Sequence, residues 1–554
     1  MGGPLDAAGM AELKRWRVVP DRVAHWAEHQ PDARFIKCTG DWITYGRLAE
    51  RVEDLAGGLT ALGISRGDRV AVILPNCEEF VLTIFALARI GAVQVPTSVY
   101  LRGDLLHHQL TDSRAKALIA DAAGVEEANR LRATLPDLQH VVAVGADRAE
   151  GTIAFDSVAD SGMRAPAVDL APADLLSIIY TSGTTGLPKG CMLSHGYYTS
   201  LSWGWYAYDW YRPGDEILTG MPLFHIAGQG ANMIAALMGG LSIEILPSFS
   251  AGEILDHARK SGSTVLYGVG AMGLDLMATE PRPDDRDHNL RTTIFPAGPP
   301  IPPEMQEQWR ERFGVEIICE GYGQTECVTV LMSPSGRQRG SRACLGSPVP
   351  ELEVAILDDT GHRLGAGKVG EIVVRPLEPQ VVFGGYWEKP AATAEAWRGL
   401  WHHTGDRARL EDDGTFTFID RRSHLLRRRG ENISTVELEA AIIKHPDIAA
   451  VAVHGVTYAI GDDDVKAWVV AEDGTDLKPA DLHAFLVDTL PYFAVPRYVQ
   501  LIDELPVSAL GRVQKFLLKE RSNEDAWDFE ELGLSIAVAD RRAKTASRVD
   551  QPGG

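Results

Sequence analysis

Residues 181–190 have the composition of a loop that binds phosphate groups. They hold three glycines, four hydroxyl side chains and one lysine, Lys189. Glycines let consecutive backbone N–H groups converge on one point, hydroxyls add donors, and a lysine supplies a mobile positive charge. This combination suits a polyphosphate, although a surface turn rich in Gly, Ser and Thr has the same composition. The glycine spacing also differs from that of the G-x-x-x-x-G-K-[ST] loop.

A second group of reactive side chains lies at residues 320–326, Glu-Gly-Tyr-Gly-Gln-Thr-Glu, directly after an apolar run. An aromatic ring such as that of Tyr322 can stack on a base, and a hydroxyl such as that of Thr325 can bond a phosphate. Glu326 can ligate Mg²⁺, a hard cation that prefers oxygen donors. A loop without a site could contain the same residue types, so the hypothesis depends on the rest of the chain.

Several further residues are informative only in context. His225 follows the apolar run 221–224 and is either a core histidine or part of a substrate pocket. Asp406, Arg421 and Lys515, each taken alone, would be interpreted as ordinary solvated surface residues. Together, however, Asp406 could accept hydrogen bonds from hydroxyl groups, and Arg421 and Lys515 could bind phosphate or carboxylate oxygens.

Composition restricts the class of protein. The 554 residues are 45% hydrophobic and carry 76 acidic against 54 basic side chains, a formal net charge of -22. Such acidity argues against binding to nucleic acid or to anionic lipid. No apolar stretch reaches about 18 residues, and the six cysteines form no C-x-x-C pair. We therefore expect a soluble, cytoplasmic protein with reduced thiols, as a monomer or homodimer.

The elements that must position these residues alternate between strand and helix. Residues 70–75, 92–95, 117–120, 141–144, 175–179, 243–246, 264–267 and 293–295 are apolar runs typical of buried strands. Between the first of these runs and Thr44, which is a plausible helix cap, apolar residues recur at steps of three and four. Short buried strands that alternate with helices predict an α/β fold with parallel sheets covered by helices.

The texture of the sequence changes twice. Beyond about residue 340 it consists of shorter β-rich segments, which predict a smaller sheet or barrel. After a basic run at 421–429 comes another unit, with a helix near 436–445 and strands at 449–453 and 467–471. After residue 521 the chain becomes polar, and we expect a loosely ordered tail.

The stretch 180–195 resembles, nearly residue for residue, the phosphate-binding signature of the AMP-forming adenylate synthetases, the superfamily of acyl-CoA ligases, luciferases and amino-acid adenylation domains, and the other motifs match the same superfamily. The motifs follow the family's order from about residue 20 to residue 520. Residues 428–434 and 436–439 are most similar to the crotonobetaine/carnitine-CoA ligase group. The resemblance implies an N-terminal domain over residues 1–421, a mobile C-terminal domain over 422–520 that carries Lys515, a tail over 521–554, and a hinge at Ser423.

The resemblance also implies roles for individual residues. Those expected to bind ATP or AMP are Thr181, Ser182, Gly183, Thr184, Thr185, Gly186, Lys189, Ala297, Gly298, Pro299, Glu320, Gly321, Tyr322, Gly323, Gln324, Thr325, Asp406, Phe418 and Arg421. Glu326 is the expected Mg²⁺ ligand, and the acid pocket is expected at His225, Gly268, Val269 and Gly270. Lys515, His225 and Thr325 are the expected catalytic residues.

The implied reaction joins ATP and an organic acid into an acyl-adenylate and then transfers the acyl group to CoA. Ile226 stands where amino-acid adenylation domains carry an aspartate, which counts against an α-amino acid. The basic residues 427–429 are equally well interpreted as a site for CoA phosphates or as a solvated strand edge. Ser423 and His424 depart from the family's hinge residues, but a small hydroxyl should still permit rotation.

Two alternatives remain at this point. A biosynthetic relative could use an acceptor other than CoA, or activate nitrous acid for reaction with an aryl amine. The aromatic-rich residues 197–211 would suit an aryl substrate, or they are core packing. A nucleotide-binding scaffold without turnover is the alternative from another class, and the intact Lys515, Glu326 and Asp406 argue against it.

Overall fold

The computed structural model describes residues 4–145, 151–181, 187–296, 303–335, 344–358, 360–421, 425–428, 431–457, 463–506, 513, 515–519 and 521–534. The predicted site residues 182–186 and 297–299 and the predicted hinge Ser423 lie outside these ranges. Contacts divide the chain into two compact units. The large unit comprises Met1–Val99, Gln109–Thr181 and Lys189–Arg422, and the small unit comprises Tyr100–His108, Ser182–Pro188 and Ser423–Gly554.

The strands are numbered in chain order. They are β1 (Arg34–Lys37), β2 (Ile43–Thr44), β3 (Arg69–Ile73), β4 (Val93–Pro96), β5 (Ala117–Ala120), β6 (His140–Ala143), β7 (Ile153–Ala154), β8 (Leu175–Thr181), β9 (Lys189–Ser194), β10 (Glu216–Thr219), β11 (Ser242–Ile245), β12 (Val265–Tyr267), β13 (Thr292–Ile294), β14 (Glu316–Ile318), β15 (Gly321–Gln324), β16 (Cys327–Met332), β17 (Cys344–Pro348), β18 (Leu352–Leu357), β19 (Val369–Pro376), β20 (His402–Leu410), β21 (Phe416–Arg421), β22 (Leu425–Arg428), β23 (Glu431–Ser434), β24 (Ile448–Thr457), β25 (Asp463–Ala471), β26 (Tyr498–Leu501) and β27 (Trp527–Asp528).

The helices are numbered in the same way. They are α1 (Ala7–Arg15), α2 (Val19–His29), α3 (Tyr45–Ala61), α4 (Glu78–Ile90), α5 (Gly103–Asp112), α6 (Ala122–Leu131), α7 (Phe155–Ala159), α8 (His195–Ala207), α9 (Ala235–Gly239), α10 (Ile254–Ser261), α11 (Gly270–Ala278), α12 (Pro303–Phe313), α13 (Pro390–Ala396), α14 (Thr435–Ile442), α15 (Pro479–Thr489) and α16 (Lys515–Lys519). Short 3-10 helices occupy Arg132–Thr134 and Arg398–Leu400, and a π-helix occupies Ala227–Ile234.

The first sheet of the large unit orders its strands β7-β6-β5-β3-β4-β8-β9, and its pairs are parallel except for β8 with β9. Strands β3, β4, β5, β6 and β8 come from the predicted apolar runs, because strands covered on both faces need no polar alternation, whereas β7 and β9 were not predicted. Helix α3 packs on α2 and α4 and has a buried stripe that includes Leu48, Val52 and Leu55. The predicted cap is confirmed, since the Thr44 hydroxyl accepts from the N–H of Arg47 at 3.2 Å.

The second sheet has the order β14-β13-β12-β10-β11-β1-β2 and is parallel from β14 to β1. The third sheet is antiparallel, in the order β15-β16-β17-β21-β20-β19-β18. It is the β-rich part predicted from the sequence, but it begins at Gly321, earlier than the change of texture near residue 340. The α/β fold class with a small C-terminal unit is confirmed.

The small unit contains the β22–β23 hairpin and a sheet of order β24-β25-β26-β27. The helix predicted near 436–445 is α14, and its Leu438 and Ile442 join the core of the unit. Residues 521–534 differ from the loose tail that the sequence predicted. Trp527 pairs with Val499 and Phe529 is 2% exposed, and both side chains, together with Leu534, pack on the apolar core of the small unit.

One large core extends through the three sheets of the large unit and the helices on them, and every residue of α8 except the last, Ala207, is buried. The buried Cys191 and Cys327 belong to this core, and burial raises the pKa of both thiols. Across the ranges that the structure describes, no helix is both long and apolar enough to cross a membrane.

Candidate active site

Three of the predicted site segments follow strands of the second sheet at its carboxyl end. Its parallel strands end level with one another, since Tyr267 is in register with both Thr219 and Ile294, and Ile294 is in register with Ile318. His225 follows β10, the Gly268–Gly270 segment follows β12, and Glu320 follows β14. Ligands of open α/β sheets bind in the crevice outside this edge.

Strands β8 and β9, which flank the predicted phosphate-binding loop, form an antiparallel pair. Strand β9, which the sequence did not predict, begins at Lys189, and helix α8 follows it from His195. Thr181 and Lys189 are opposite each other in the antiparallel pair of β8 and β9. The motif's two described polar residues are therefore presented by rigid strands at the mouth of the loop.

Glu326, the expected metal ligand, lies beside this hairpin. Its Oε1 accepts a hydrogen bond from the hydroxyl of Tyr386 at 2.8 Å and a longer one from the hydroxyl of Thr181 at 3.4 Å. Glu326 is 8% exposed. The ammonium group of Lys189 lies 5.3 Å from the centre of the Tyr386 ring. Thr181, Lys189 and Glu326, which come from two separate motifs, are thus brought to one place.

A tight turn between β15 and β16 carries Thr325 and Glu326. A Cβ atom at Gly323 would collide with the carbonyl oxygen of Val328, so this close approach of two backbones requires glycine. The fully buried hydroxyl of Tyr197 donates to the carbonyl of Thr325 at 2.7 Å and accepts from the N–H of Val328 at 3.0 Å. Helix α8 therefore holds the turn in place through Tyr197.

Asp406, the expected ribose ligand, is tied to the motif at 320–326. Its Oδ2 accepts from the hydroxyl of Tyr322 at 2.6 Å and from Nε2 of Gln324 at 2.8 Å. Gln324 also donates to the carbonyl of Thr404 at 2.7 Å. Burial, and then the Asp406 carboxylate, raise the pKa of Tyr322, so its hydroxyl stays protonated and donates. Asp406 is 1% exposed and is held in one orientation.

A second carboxylate supports the strand that carries Asp406. Glu371 accepts from His403 Nδ1 at 2.9 Å and from the N–H of Gly405 at 3.0 Å. Burial acts to raise the pKa of Glu371, but the bond from His403, its charge and the bond from Gly405 outweigh that effect and lower it. Glu371 therefore fixes β20 from the adjacent strand β19 just before Asp406.

The remaining nucleotide residues of the third sheet lie on β21. Arg421 is directly opposite Asp406 in the pair of β20 and β21, and Phe418 is opposite Ala408. Phe418 is partly buried against the main core. Glu320 is 6% exposed and accepts a hydrogen bond from the buried hydroxyl of Ser333 at 3.1 Å, which anchors the start of β15.

His225 lies between β10 and the π-helix. Its Nδ1 accepts from the N–H of Ala227 at 3.1 Å, so a neutral imidazole carries its proton on Nε2. The segment before it is clamped by Asn76, whose amide donates to the carbonyls of Met221 and Leu246 at 3.0 and 2.8 Å. The Asn76 oxygen accepts from the N–H of Leu223 at 2.7 Å.

A second clamp comes from the π-helix itself. Gln229 is fully buried and donates to the carbonyl of Leu223 at 2.6 Å. Its oxygen accepts from Gln94 at 2.9 Å and from the hydroxyl of Tyr198 at 2.8 Å. Single π-helical turns often mark functional positions, and here the irregular turn directly follows His225.

The predicted acid pocket continues at Gly268–Gly270. Gly268 donates to the carbonyl of Ile294 at 2.9 Å, and a Cβ atom there would approach the ring of Phe295 to 2.7 Å. Val269 is 7% exposed and directly precedes helix α11, which begins at Gly270. Ile226, beside His225, is 3% exposed. A buried apolar side chain therefore occupies the position at which amino-acid adenylation domains are expected to carry an aspartate.

The aromatic-rich stretch is mostly core packing. Tyr197, Tyr198, Trp210 and Tyr211 are fully buried. Trp205 contacts the ring of Tyr267 at 5.8 Å between centroids, at the end of β12. The stretch therefore both fills the core and supports the edge at which the site residues lie.

Lys515, the expected catalytic lysine, is described within the small unit. Its ammonium lies 2.6 Å from Glu439 Oε1 and donates to the hydroxyl of Thr435 at 3.0 Å. Glu439 also accepts from the N–H of Val453 at 2.6 Å through the same oxygen. The side chains of Lys515 and Glu439 are 12% and 21% exposed.

The residues at Glu326 fit a magnesium ion that is bound together with phosphates. Among the described residues, no group of three or more His, Cys, Asp or Glu side chains could hold a metal alone. Mg²⁺ is commonly held by one or two carboxylates plus substrate phosphates and waters. A carboxylate offers about four lone-pair positions, so Glu326 retains oxygen capacity beyond its two hydroxyl partners.

Sequence reasoning did not assign Tyr386, Tyr197, Asn76 and Gln229, which position the predicted residues. Tyr386 is 60 residues away from Glu326, and Asn76 is 147 away from Leu223. No local spacing signals such long-range contacts. A polar residue inside or next to an apolar run, such as Asn76 after β3, is the one local signal of such a positioning role.

Comparison with family models identifies both units. The model described as AMP-binding enzyme matches residues 23–387, and the model described as AMP-binding enzyme C-terminal domain matches residues 437–512. Curated relatives include the crotonobetaine/carnitine-CoA ligases of Salmonella typhimurium and Salmonella paratyphi B. Each is 32% identical, over 486 and 492 residues respectively, covering 86% of this chain and 93% of the relative.

Several solved structures are similar to this chain over most of its length. The amide bond synthetase McbA from Marinactinospora thermotolerans has a TM-score of 0.80 at 25% identity and covers 91% of this chain and 99% of its own. MatB from Rhodopseudomonas palustris has a TM-score of 0.66 at 27% identity, covering 91% and 98%. The o-succinylbenzoate CoA synthetase from Bacillus subtilis shares the fold, with a TM-score of 0.79 at 24% identity, covering 91% and 99%.

Proposed function

The chain belongs to the AMP-binding enzyme family, and we propose that it activates an organic acid with ATP and transfers the acyl group to CoA. The observation that carries this proposal is the convergence of Thr181, Lys189 and Glu326 beside Asp406 and its partners in one unit. Three motifs that are far apart in the sequence each supply one part of the site. Residues 181–190 supply phosphate-binding groups, Glu326 supplies a metal ligand, and Asp406 supplies an acceptor for hydroxyl groups.

In the proposed first step an oxygen of the acid's carboxylate attacks the α-phosphorus of ATP. The bond to the bridging oxygen breaks, pyrophosphate leaves, and an acyl-adenylate remains. Lys189 and the loop at 181–190 orient the β- and γ-phosphates as the leaving group. Asp406 accepts from the ribose hydroxyls, with its orientation fixed by Tyr322 and Gln324.

The charges of this step require cations. A carboxylate and a phosphate, both anionic, must approach each other, and preorganised positive groups stabilise the developing charge. Lys515 is proposed to supply one such group. A magnesium ion, when bound at Glu326, neutralises phosphate charge. Because the chain has a net charge of -22, the anionic ligands depend on these local features.

In the proposed second step a thiolate of CoA attacks the acyl carbon. The C–S bond forms, AMP leaves with the former carboxylate oxygen, and a thioester is produced. The curated relatives named as CoA ligases support this acceptor. The acid is proposed to lie near His225 and Gly268–Gly270, where the buried Ile226 disfavours an α-ammonium group.

A second candidate differs only in the acceptor. Structural similarity to an amide bond synthetase favours an amine in place of CoA. Activation of nitrous acid for reaction with an aryl amine is a further variant of this candidate. Both versions keep the first step and the same nucleotide site.

The test is pyrophosphate release with panels of aliphatic acids, aryl acids, amino acids and nitrite, with and without CoA, followed by mass spectrometry of the products. We expect a carboxylate other than an α-amino acid to release pyrophosphate and to give a CoA thioester. Release that yields an amide, or release with nitrite plus an aryl amine and no carboxylate, would replace CoA ligation by the second candidate. Silence with every acid would reject the activity.

A further inference from the structure

The segment Phe383–Lys389, which we call the strap, runs along the outer edge of strand β9. Gly384 donates to the carbonyl of Met192 at 2.7 Å, and the N–H of Met192 donates to Gly385 at 2.9 Å. Trp387 donates to the carbonyl of Gly190 at 2.8 Å. The strap is therefore fixed by its backbone to the strand that begins with Lys189.

The same strap also forms hydrogen bonds with Glu326, one to its backbone and one to its side chain. The N–H of Phe383 donates to the carbonyl of Glu326 at 2.8 Å, and the hydroxyl of Tyr386 donates to its Oε1 at 2.8 Å. The ring of Tyr386 lies 5.3 Å from the ammonium of Lys189. One side chain therefore contacts both the expected metal ligand and the lysine of the phosphate loop.

The strap is held rigidly at its other end. Lys389 pairs with Asp112 at 2.5 Å, and Asp112 also accepts from the hydroxyl of Tyr180 at 2.8 Å. The N–H of Tyr386 donates to the hydroxyl of Thr393 at 2.9 Å. At Gly385 the backbone has a φ of +110°, a conformation that strongly favours glycine. The Tyr386 side chain is thus delivered to Glu326 by a well-anchored backbone.

We propose that Tyr386 is a positioning residue that orients the Glu326 carboxylate for the cation of the metal–ATP complex. This inference rests on the proposed function. A neutral hydroxyl can hold one carboxylate oxygen in place without cancelling the charge, so the carboxylate keeps its attraction for a cation. Thr181 bonds the same oxygen at the longer distance of 3.4 Å, which leaves Tyr386 as its main hydroxyl partner.

The variant Tyr386→Phe removes the hydroxyl and keeps the ring. Loss of a hydrogen bond to a metal-ligating group typically costs about 10- to 100-fold in metal affinity. We expect about 10-fold weaker binding of Mn²⁺, measured by electron paramagnetic resonance on full-length protein saturated with α,β-methylene-ATP. The Mg²⁺ concentration that gives half-maximal pyrophosphate release should rise by a similar factor, with little change in kcat at saturating Mg²⁺.

Tyr45→Phe is the matched control, because the hydroxyl of Tyr45 is also buried but donates to the carbonyl of Leu241 away from the site. It should leave Mn²⁺ binding unchanged. A double variant provides a second measurement: in a Glu326→Gln background, Tyr386→Phe should weaken Mn²⁺ binding much less than it does alone. A purely structural role of Tyr386 predicts additive effects instead.

The outcomes separate the inference from the function it rests on. If the wild type releases pyrophosphate and Tyr386→Phe has the same Mn²⁺ affinity and the same Mg²⁺ half-saturation, the positioning role is overturned and the proposed function stands. If the wild type neither binds Mn²⁺ with the analogue nor releases pyrophosphate with any acid, both are overturned.

Discussion

The ammonium of Lys515 forms an ion pair with Glu439 at 2.6 Å inside the small unit. If Lys515 is the cation that joins acid and α-phosphate, it must leave Glu439 before the first step. Breaking this ion pair therefore adds to the free-energy barrier of that step. Glu439 is anchored independently by the N–H of Val453, so its side chain does not follow the lysine.

Glu439→Gln should speed the first step, because the amide oxygen can still accept from Val453 but no longer attracts the ammonium as a charge. Partly exposed ion pairs contribute about 0.2–1 kcal/mol, so we expect a rise of about 1.4- to 5-fold in the rate of pyrophosphate release under single-turnover conditions. Lys519→Ala, one turn further along α16, is the control and should change nothing. A slower first step in Glu439→Gln would show that the pair supports Lys515 instead of restraining it.

Asp406→Asn should weaken ATP binding. Hydrogen bonds to charged groups contribute about 1.5–3 kcal/mol, so the KM for ATP should rise by roughly 10- to 100-fold. Replacing ATP with 3′-deoxy-ATP should cost the variant much less than it costs the wild type. Asp413→Asn, in the turn between β20 and β21, is the control. Equal sensitivity of wild type and Asp406→Asn to the missing hydroxyl would remove Asp406 from the ribose site.

Asn76→Ala should impair the acid site and spare the nucleotide site. It removes the bonds that clamp the segment before His225, so we expect the KM for the acid to rise by about 10-fold with an unchanged KM for ATP. Thr83→Val removes another buried hydrogen bond of the large unit and controls for lost stability. If both variants change the acid KM equally, the clamp has no specific role.

His195 should make the large unit sensitive to acid. Burial lowers its pKa from 6.5 to about 4, with a partial opposing effect from Asp174. Because the folded pKa is the lower one, the unfolded chain takes up a proton first and stability falls as the pH drops below about 6.5. At pH 5 this one group should cost about 2 kcal/mol relative to pH 7.

His195→Asn tests this prediction, because an amide oxygen can still accept from the N–H of Val19, as Nδ1 does at 3.4 Å. Urea unfolding followed by tryptophan fluorescence at pH 7 and pH 5 should show a difference between the two pH values that is about 2 kcal/mol smaller in the variant. His402 and His454, whose pKa values are also lowered to about 4, continue to act in both proteins. Identical pH dependence in wild type and variant would contradict the argument.

The sequence predicted those features that are local in the chain. Apolar runs gave the buried strands, and the resemblance to a family, now confirmed by both family models, gave the motif residues Thr181, Glu326 and Asp406. Strand β9 was missed because its first residues, Lys189 and Gly190, have the composition of the preceding loop. Residues 521–534 were expected to be loosely ordered because polar residues outnumber the apolar side chains, of which Trp527, Phe529 and Leu534 pack on the core of the small unit.

What holds the site in place could not be predicted from spacing. The bonds from Tyr386 to Glu326 and from Tyr322 to Asp406 join residues that are 60 and 84 positions apart. Sequence patterns report which face of an element is buried, but they do not report which distant side chains meet there. Lys515 shows the same limit, since its motif is typical of an active-site lysine while its observed partner is Glu439.

The central claim is that the acid's own oxygen attacks the α-phosphate. It is tested most directly with an acid that supports pyrophosphate release, labelled with ¹⁸O in its carboxylate, and mass spectrometry of the nucleotide product after a complete turnover. We predict AMP that carries one ¹⁸O atom in the wild type and no AMP in Lys515→Ala above about one part in a hundred of the wild-type rate. Formation of ADP, or of AMP without label, would contradict an acyl-adenylate and with it the proposed function.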